Sequence, residues 1–397
     1  MEIPRDVLAA AGFRDEDDVV FSVGPDGVLA RRDALRKVYV ELSGRCNLTC
    51  GMCPRTAWDA GAGDMSDTCF QALLDGLPAP PDTVTLAFGG YGEPTIHPSF
   101  TGMVASARQA GCRVEIITNG TTMTPALAAD LARLGVAQIT VSVDGGNDEA
   151  YGAMRGRALS PAMSGLDALT DVRRRASARM AIGLACVVTR RNAASLPALL
   201  ESAARLGLDF VSLSGVVPHT SEIAADSLGA SAAQLSGRNP ALDRPRVILG
   251  RLDFSTETRP LLEHLLSQLP VLPPPALDPG TWRNRCRFAW EGVCAVTWAG
   301  SVAPCLSLLY THPEVIGGRE KTVKAFAFGQ VEQLPLRKIW QSVEYRAFRR
   351  RVIEFDVSPC LSCGGCGISE TNEADCFGTP FPGCSECLWA QGLVLCP

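Results

Sequence analysis

The stretch Arg45-Cys46-Asn47-Leu48-Thr49-Cys50-Gly51-Met52-Cys53-Pro54-Arg55 holds three cysteines at a C-x3-C-x2-C spacing. A strand-like run, Val38–Leu42, precedes it, so the cysteines are predicted on the loop that leaves a strand. Three thiolates can bind three irons of a four-iron, four-sulfur cluster, and the fourth iron then has no protein ligand. The alternatives are buried thiols without a metal and structural zinc, which usually takes four ligands from paired C-x2-4-C units. The lone triplet therefore favours a cluster with one open iron.

Strand-like and helix-like segments alternate after residue 37. The predicted strands are Val38–Leu42, Thr83–Phe88, Arg113–Thr118, Gln138–Val143, Ala181–Val188 and Phe210–Ser214. The predicted helices between them are Thr68–Leu77, Phe100–Ala110, Pro125–Leu134, Pro161–Ala176 and Ser195–Leu206. Six such repeats predict an α/β fold with a parallel sheet inside a layer of helices, closed in part as a (β/α)6 barrel. Functional side chains of such folds gather at the carboxyl ends of the strands.

The chain of 397 residues is long enough for more than one compact unit. Residues 1–36 are predicted to form a cap with a short hairpin that turns at Gly24–Gly27, and residues 37–268 form the barrel, with a last helix at Arg259–Gln268. Five prolines mark residues 269–281 as a linker. Residues 282–397 are a cysteine-rich unit.

Charge and cysteine usage restrict the class of protein. The net charge is −5 without a long basic run, which argues against nucleic acid as the main partner. No apolar run approaches the length of about 18 residues that a membrane helix needs. The amino terminus lacks a secretory signal pattern. The 16 cysteines are clustered rather than evenly spread, which indicates metal sites in a cytoplasmic protein rather than a disulfide scaffold.

The triplet resembles the signature of the radical S-adenosylmethionine (radical SAM) enzymes. The resemblance implies that Cys46, Cys50 and Cys53 bind a catalytic 4Fe-4S cluster, whose open iron chelates SAM. It further implies that an electron from the cluster cleaves SAM, and that the 5′-deoxyadenosyl radical released takes a hydrogen atom from the substrate. A reductant such as flavodoxin or ferredoxin is an expected partner.

The ends of the second and third predicted strands carry the next motifs of the resemblance. Phe88-Gly89-Gly90-Tyr91-Gly92-Glu93-Pro94 resembles the GGE motif, in which Gly90 and Glu93 are expected to contact the SAM amino group. Taken alone, this stretch is also an ordinary glycine-rich turn. Asn119 follows the third strand, where it either faces SAM or caps the next helix.

The fourth predicted strand leads to three further candidates for SAM binding. Ser142 and Asp144 resemble the family's contacts to the ribose and the carboxylate of SAM. Arg155 matches an arginine whose guanidinium suits the SAM carboxylate, and the alternative is a surface arginine on a helix.

Two further residues are candidates for direct catalysis. Cys186, in the fifth predicted strand, is either a hydrogen-atom donor of the kind used by radical epimerases or inert packing. His219 follows the sixth predicted strand and is a candidate for substrate binding or general-base catalysis.

The cysteine-rich unit resembles the SPASM domain, which holds auxiliary iron–sulfur clusters in many radical SAM enzymes. Its opening C-x13-G-x4-C spacing fits that domain, while its C-x2-C pairs are also found in zinc ribbons. Its ten cysteines exceed the eight that two four-iron clusters need. We expect an inner cluster on Cys286, Cys305 and Cys376, and an outer cluster on Cys360, Cys363, Cys366 and Cys387, with Cys294, Cys384 and Cys396 unassigned.

The ending of the chain, 372–378 and 387–392, resembles a SPASM branch that includes maturation factors of tungsten-containing aldehyde oxidoreductases. This favours a radical SAM/SPASM enzyme that acts on a peptide, a protein or a protein-bound cofactor. The alternative is an epimerase, dehydrogenase or dehydratase of a small metabolite such as a sugar or aminocyclitol. A non-catalytic iron–sulfur or zinc protein is the third possibility, and the ordered motifs argue against it.

Overall fold

Six parallel strands form the centre of the fold, as the sequence predicts. The structure, a computed structural model, describes residues 6–7, 19–24, 27–58, 61–78, 83–229, 246–249, 252–253, 255–268, 286–354, 357–358 and 367–396. The predicted linker, residues 269–281, lies outside the described residues. The central strands are β3 (Lys37–Val40), β4 (Thr85–Phe88), β5 (Arg113–Thr118), β6 (Gln138–Ser142), β7 (Ala181–Val188) and β8 (Phe210–Gly215).

Helices follow these strands, and most of them cover the outer face of the sheet. They are α1 (Asp67–Asp75), α2 (Phe100–Gln109), α3 (Pro125–Arg133), α4 (Asp148–Arg155), α5 (Ser160–Ala176), α6 (Leu196–Arg205), α7 (Ser221–Asp226) and α8 (Arg259–Gln268). Side-chain caps fix several starts: Thr124 accepts a hydrogen bond from the Leu127 backbone N–H, and Asn147 accepts one from that of Ala150. Helices α4 and α7 are absent from the sequence prediction.

The parallel sheet continues beyond the predicted barrel on both sides. Strand β9 (Arg246–Leu249) pairs parallel with β8. On the other side, β10 (Val293–Val296) from the cysteine-rich unit pairs parallel with β3, and β11 (Ser301–Ala303) and β14 (Gly329–Gln330) follow it. One ten-stranded sheet therefore runs through both units, in the order β14-β11-β10-β3-β4-β5-β6-β7-β8-β9.

Smaller elements complete both ends of the chain. Strands β1 (Val19–Gly24) and β2 (Gly27–Arg32) form the predicted hairpin, and β12 (His312–Ile316) pairs antiparallel with β13 (Arg319–Val323). The cysteine-rich unit adds α9 (Arg287–Glu291), α10 (Leu336–Trp340) and α11 (Val343–Glu354). Within the described residues, no helix is both long and apolar enough to cross a membrane.

The main core lies between the sheet and its helices. Alternate residues of each strand enter it, so Val38, Leu86, Val114 and Ile139 are fully buried there. Tyr39 and Ala87 point to the opposite face and pack in a second cluster with residues of the cysteine-rich unit. The inner face of the barrel is thus closed in part by the carboxyl-terminal third of the chain.

A buried ion pair ties the two ends of the chain together. Arg349 of α11 is 2% exposed and donates to both carboxylate oxygens of Asp33, at 3.0 and 2.7 Å. Its guanidinium carbon also lies 3.8 Å from the centre of the Trp340 ring. Because this guanidinium is desolvated, the Asp33 carboxylate is needed to compensate its positive charge.

We predict that Asp33→Asn lowers the free energy of unfolding by about 3 kcal/mol, because it leaves a buried guanidinium without a counter-ion. Urea unfolding followed by circular dichroism measures the change. Asp171→Asn is the matched control, since Asp171 pairs with exposed arginines on α5 and should cost below about 0.5 kcal/mol. Equal effects of the two substitutions would contradict the prediction.

Candidate functional site

The cysteine triplet lies on the loop that leaves the carboxyl end of β3. Cys50 is buried, and Cys46 and Cys53 are half-buried. An apolar shell surrounds the three thiols and consists of Leu48, Met52, Met154, Val187, Val216 and Ile223. Three soft thiolate donors inside an apolar shell, with no fourth cysteine in the loop, fit a cluster that keeps one iron open.

Burial changes the pKa of two of these thiols, Cys50 and Cys53. It raises the pKa of Cys50 to about 11, although the charge of Arg155 acts in the opposite direction. It also raises the pKa of Cys53. Because a metal binds the thiolate, iron must displace a proton from each thiol when a cluster is loaded.

Glycines let other segments approach the triplet loop closely. A Cβ atom on Gly92 would lie 1.8 Å from the Ser43 carbonyl oxygen, so only glycine fits there. Gly44 and Gly63 leave room for the Trp298 ring, which would lie 2.6 and 2.5 Å from added Cβ atoms. The loop is thus held between the glycine-rich end of β4 and a tryptophan of the cysteine-rich unit.

Glu93, a predicted SAM contact, is 2% exposed and bound within the protein. Its Oε2 accepts a hydrogen bond from the Asn119 backbone N–H at 2.7 Å, and its Oε1 accepts from the hydroxyls of Thr118 and Thr95. Burial raises the pKa of Glu93, and these donors oppose the shift. The carboxylate therefore ties the end of β5 to the glycine-rich loop.

Asn119 lies against the triplet. Its amide Nδ2 donates to Asn47 Oδ1 at 2.8 Å and lies 3.9 Å from Cys46 Sγ. Its Oδ1 accepts from the backbone N–H of Thr121. Since Thr124 caps α3, the sequence alternative in which Asn119 caps that helix is wrong.

Asp144 and Arg155 form a buried ion pair beside the triplet. Arg155 Nε donates to Asp144 Oδ2 at 2.6 Å, and the backbone N–H of Val187 donates to Asp144 Oδ1 at 2.7 Å. Burial lowers the pKa of Arg155, but the interactions with Asp144, Cys50 and Tyr151 together outweigh burial, and the net shift is upward. Arg155 ends α4, so the alternative of a surface arginine is wrong. Ser142 is half-buried at the end of β6, and its hydroxyl has no protein partner among the described residues.

The position of Cys186 corrects its prediction as a hydrogen-atom donor. Cys186 belongs to the main core between sheet and helices, whereas the next residue, Val187, packs against the triplet. Side chains of adjacent strand residues point to opposite faces, so Cys186 points away from the barrel interior. Burial raises the pKa of its thiol well above the ordinary value. This environment is that of a packing residue.

His219 is 3% exposed, and its Nδ1 lies 3.1 Å from the Val217 carbonyl oxygen. Burial lowers its pKa, and the neighbouring His312 contributes in the same direction. The backbone N–H of Val315 donates to the Pro218 carbonyl oxygen at 2.6 Å, so His219 lies where the barrel meets β12.

The cysteines of the carboxyl-terminal unit group differently from the predicted division. Cys305 interacts electrostatically with Cys387, Cys286 and Cys384, and Cys384 does so with Cys387 and Cys286. Burial raises the pKa of all four, to about 12 for Cys286. Cys384, unassigned by the sequence, thus joins this group, whereas Cys376 is exposed. Sequence spacing cannot give this grouping, because Cys305 and Cys384 are far apart in the sequence and cysteine spacing does not give connectivity.

The remaining cysteines of this unit have different surroundings. Cys294 is fully buried in β10. Cys396 lies beside the group, since it interacts electrostatically with Cys387, and it accepts a hydrogen bond from Trp389 Nε1. Cys360, Cys363 and Cys366 lie outside the described residues. Across the described ranges, no three His, Cys, Asp or Glu side chains are close enough to share a single metal ion. A four-iron cluster takes one thiolate per iron, so its ligands stand farther apart.

Two polar residues of the site were missed by the sequence prediction. Asn47, within the triplet, donates to Thr121 and accepts from Asn119. Glu41 follows β3 and is 2% exposed. The sequence does contain an indication that Glu41 is a buried polar residue, because it is a carboxylate within the apolar run Val38–Leu42.

Two family models match the chain. Residues 40–185 match the radical SAM superfamily, and residues 286–367 match SPASM, an iron–sulfur cluster-binding domain. The first match spans the triplet and every predicted SAM contact.

Known proteins resemble the chain over most of its length. The tungsten-containing aldehyde ferredoxin oxidoreductase cofactor-modifying protein of Pyrococcus furiosus is 31% identical over 372 residues, which cover 91% of this chain and 97% of the relative. The AdoMet-dependent heme synthase of Methanosarcina barkeri is 24% identical and covers 86% of this chain and 90% of the relative.

Solved structures share the fold. Streptococcus suis SuiB bound to S-adenosylmethionine has a TM-score of 0.54 at 12% identity, covering 84% of this chain and 71% of SuiB. Native anSMEcpe with bound AdoMet has a TM-score of 0.53 at 16% identity, covering 87% of this chain and 93% of anSMEcpe. The chain belongs to the radical SAM superfamily, as an iron–sulfur enzyme that uses a 4Fe-4S cluster and S-adenosylmethionine and carries a SPASM domain for further iron–sulfur clusters.

Proposed function

We propose that this enzyme is a maturase that abstracts a hydrogen atom from a peptide, a protein or a protein-bound cofactor. When bound, the cluster and SAM supply the electron and the 5′-deoxyadenosyl radical for this reaction. The observation that carries the proposal is the buried Asp144–Arg155 pair beside Cys50, inside the apolar shell of the triplet. Such a site offers three thiolates and a fixed guanidinium, and it excludes water from a reactive carbon radical.

Cys46, Cys50 and Cys53 would hold the catalytic cluster. Arg155 and the Ser142 hydroxyl would contact SAM, the first at its carboxylate and the second at its ribose. Gly90 and the neighbouring carbonyl groups would receive the SAM amino group. The backbone at Gly90 has a positive φ of 147°, a conformation that glycine adopts readily.

Three predicted SAM contacts would act through other residues. Asp144 orients Arg155, because its two oxygens are occupied by that guanidinium and by the Val187 backbone. Glu93 holds the end of β5, and Asn119 steadies the triplet loop through Asn47. These are positioning residues whose polar atoms are already bound within the protein.

The SPASM domain would hold two auxiliary clusters. We assign Cys286, Cys305, Cys384 and Cys387 to one of them, since these four half-buried thiols interact electrostatically with one another. Cys376 is then available for the second, together with Cys360, Cys363 and Cys366. These clusters would exchange electrons with the substrate, with the catalytic cluster or with a reductant such as flavodoxin or ferredoxin.

A protein-bound cofactor as the substrate is supported by one relative. The Pyrococcus furiosus protein is named for modifying the cofactor of another enzyme, and it matches this chain almost from end to end. A small metabolite such as a sugar or aminocyclitol is the alternative substrate class.

We predict that the anaerobically reconstituted protein forms 5′-deoxyadenosine from SAM and dithionite. The polypeptide fraction of an extract from the source cells should accelerate this formation more than the small-molecule fraction. Chromatography of 5′-deoxyadenosine measures both rates. The Cys46→Ala/Cys50→Ala/Cys53→Ala variant is the control and should form none.

Acceleration by the small-molecule fraction alone would indicate that the substrate is a metabolite and not a polypeptide. Absence of 5′-deoxyadenosine from the wild type with a full cluster content would contradict the proposed reaction.

We predict that Asp144→Asn weakens SAM binding about tenfold, equivalent to about 1.4 kcal/mol, because Arg155 loses the carboxylate that orients it. Equilibrium dialysis with labelled SAM measures the affinity, and the iron content should stay unchanged. Asp171→Asn, an exposed carboxylate on α5, is the matched control. Unaltered SAM affinity in Asp144→Asn would contradict the proposed role of Asp144 in positioning Arg155.

We predict that Cys384→Ala lowers the iron content by about four atoms per chain, because one auxiliary cluster loses a ligand. Iron and sulfide analysis after reconstitution measures the loss. Cys112→Ala, which replaces a buried cysteine of the main core, should retain all iron. Full iron content in Cys384→Ala together with a loss of iron in Cys376→Ala would contradict this assignment. It would support the sequence prediction, in which Cys376 and not Cys384 joins Cys286 and Cys305 at the inner cluster.

A further inference from the structure

Glu41 is a buried carboxylate without a positively charged partner. It is 2% exposed, and its backbone N–H donates to the Val296 carbonyl oxygen, between barrel and SPASM domain. Its Oε2 accepts a hydrogen bond from the Tyr310 hydroxyl, and its Oε1 accepts one from the Tyr91 backbone N–H at 3.2 Å. The backbone N–H groups of Trp298 and Gly92 also contribute hydrogen bonds to this carboxylate. All of these donors are neutral, and within the described part of the chain no lysine, arginine or histidine pairs with Glu41. A buried carboxylate in this state lacks the countercharge that normally offsets its desolvation.

A cavity of about 60 Å³ opens next to this carboxylate. Its walls include Glu41 from the end of β3, Arg55 and Trp58 from the segment after the triplet, and Tyr310 from the SPASM domain. It has room for about four water molecules or for a group of about four non-hydrogen atoms. None of its lining residues is among the predicted SAM contacts.

Aromatic rings form one side of the cavity. The Trp58 ring lies 4.9 Å from that of Tyr310 and 4.7 Å, edge-on, from that of Tyr91. The faces of such rings are electronegative and attract cations, most strongly where water is excluded. Arg55, the cation of the wall, donates to the Leu48 carbonyl oxygen at 3.1 Å instead of to Glu41.

We propose that this cavity binds a protonated primary amine of the substrate, with Glu41 as its counter-ion and Trp58 and Tyr310 as its aromatic walls. The assignment of the ligand as substrate rests on the proposed function, whereas the amine site itself does not. Because Arg55 and Trp58 follow Cys53 closely in the chain, a bound amine would hold the substrate near the catalytic triplet.

The pKa of Glu41 agrees with a buried carboxylate that lacks a countercharge. Burial raises its pKa to about 7, against the hydrogen bonds from Tyr310 and Tyr91. A bound ammonium group would lower that pKa again by supplying the missing charge. The other titratable or charged side chains around the cavity are Tyr310, Tyr91 and Arg55, with His312 beyond the Trp58 ring.

The test uses propylammonium, a four-atom primary amine, and the reconstituted full-length protein with SAM. Calorimetry should detect binding that strengthens about tenfold from pH 6 to pH 8, because the Glu41 carboxylate ionises over this range. Propanol and propionate should bind more weakly than propylammonium. Glu41→Gln, which keeps the size of the side chain but removes its charge, should weaken amine binding at least about tenfold at pH 8.

Glu320→Gln is the matched control, because Glu320 is exposed on β13 and should leave amine binding unchanged. Circular dichroism and SAM affinity of Glu41→Gln report whether the variant folds. Nα-acetyl-lysine methylamide and glucosamine, compared as competitors, then separate an amine on a polypeptide from one on an amino sugar.

Equal amine binding by wild type and a folded Glu41→Gln would overturn the proposal. Preference for propionate would also overturn it, by making Arg55 the centre of an anion site. A protein that binds propylammonium but forms no 5′-deoxyadenosine would retain the amine site and lose the proposed function.

Discussion

Burial of charge is the constraint on which the site depends. The carboxyl ends of β4 to β6 lead to Glu93, Asp144 and Arg155, all nearly inaccessible to water. Each buried charge must find its partners inside the protein, and each does so through a different segment. Glu93 accepts hydrogen bonds from Thr95, Thr118 and Asn119. Asp144 connects α4 to β7 by accepting hydrogen bonds from Arg155 and the Val187 backbone. The loops around the triplet are therefore cross-linked by hydrogen bonds that leave their side chains little freedom.

The parallel pairing of β10 with β3 extends this order to the SPASM domain. It sets Val293 to Val296 beside Lys37 to Val40, so the domain begins as the next strand of the barrel sheet. Trp298 and Tyr310 consequently reach the loop that leaves β3. Arg349 binds Asp33 just before the same strand. The surroundings of the triplet are thus built from both halves of the sequence.

The sequence predicted what depends on local pattern and missed what depends on distant pairing. All six central strands are where alternating strand and helix signals put them, because buried parallel strands are continuous apolar runs. Helix α4 was missed because Asp148–Arg155 is short and contains a glycine, although Asn147 is a good capping residue. The joining of β10 to β3 has no local signal. The grouping of Cys384 with Cys286 has none either, since cysteine spacing does not give connectivity. For Asp144 and Glu93, motif position indicated the right region, but only the structure shows that their oxygens bind protein groups.

The late origin of β10 has a consequence for synthesis on the ribosome. Strands β3 to β8 leave the ribosome well before β10 does, and units that emerge first begin to fold first. During that interval one side of β3 is an open sheet edge, with backbone groups able to pair with another chain. The strand is only four residues long, begins with Lys37 and is followed by Glu41. Short length and charged residues at its ends both discourage pairing of β3 with another chain. The edge of β3 is therefore protected until β10 has been synthesised and pairs with it.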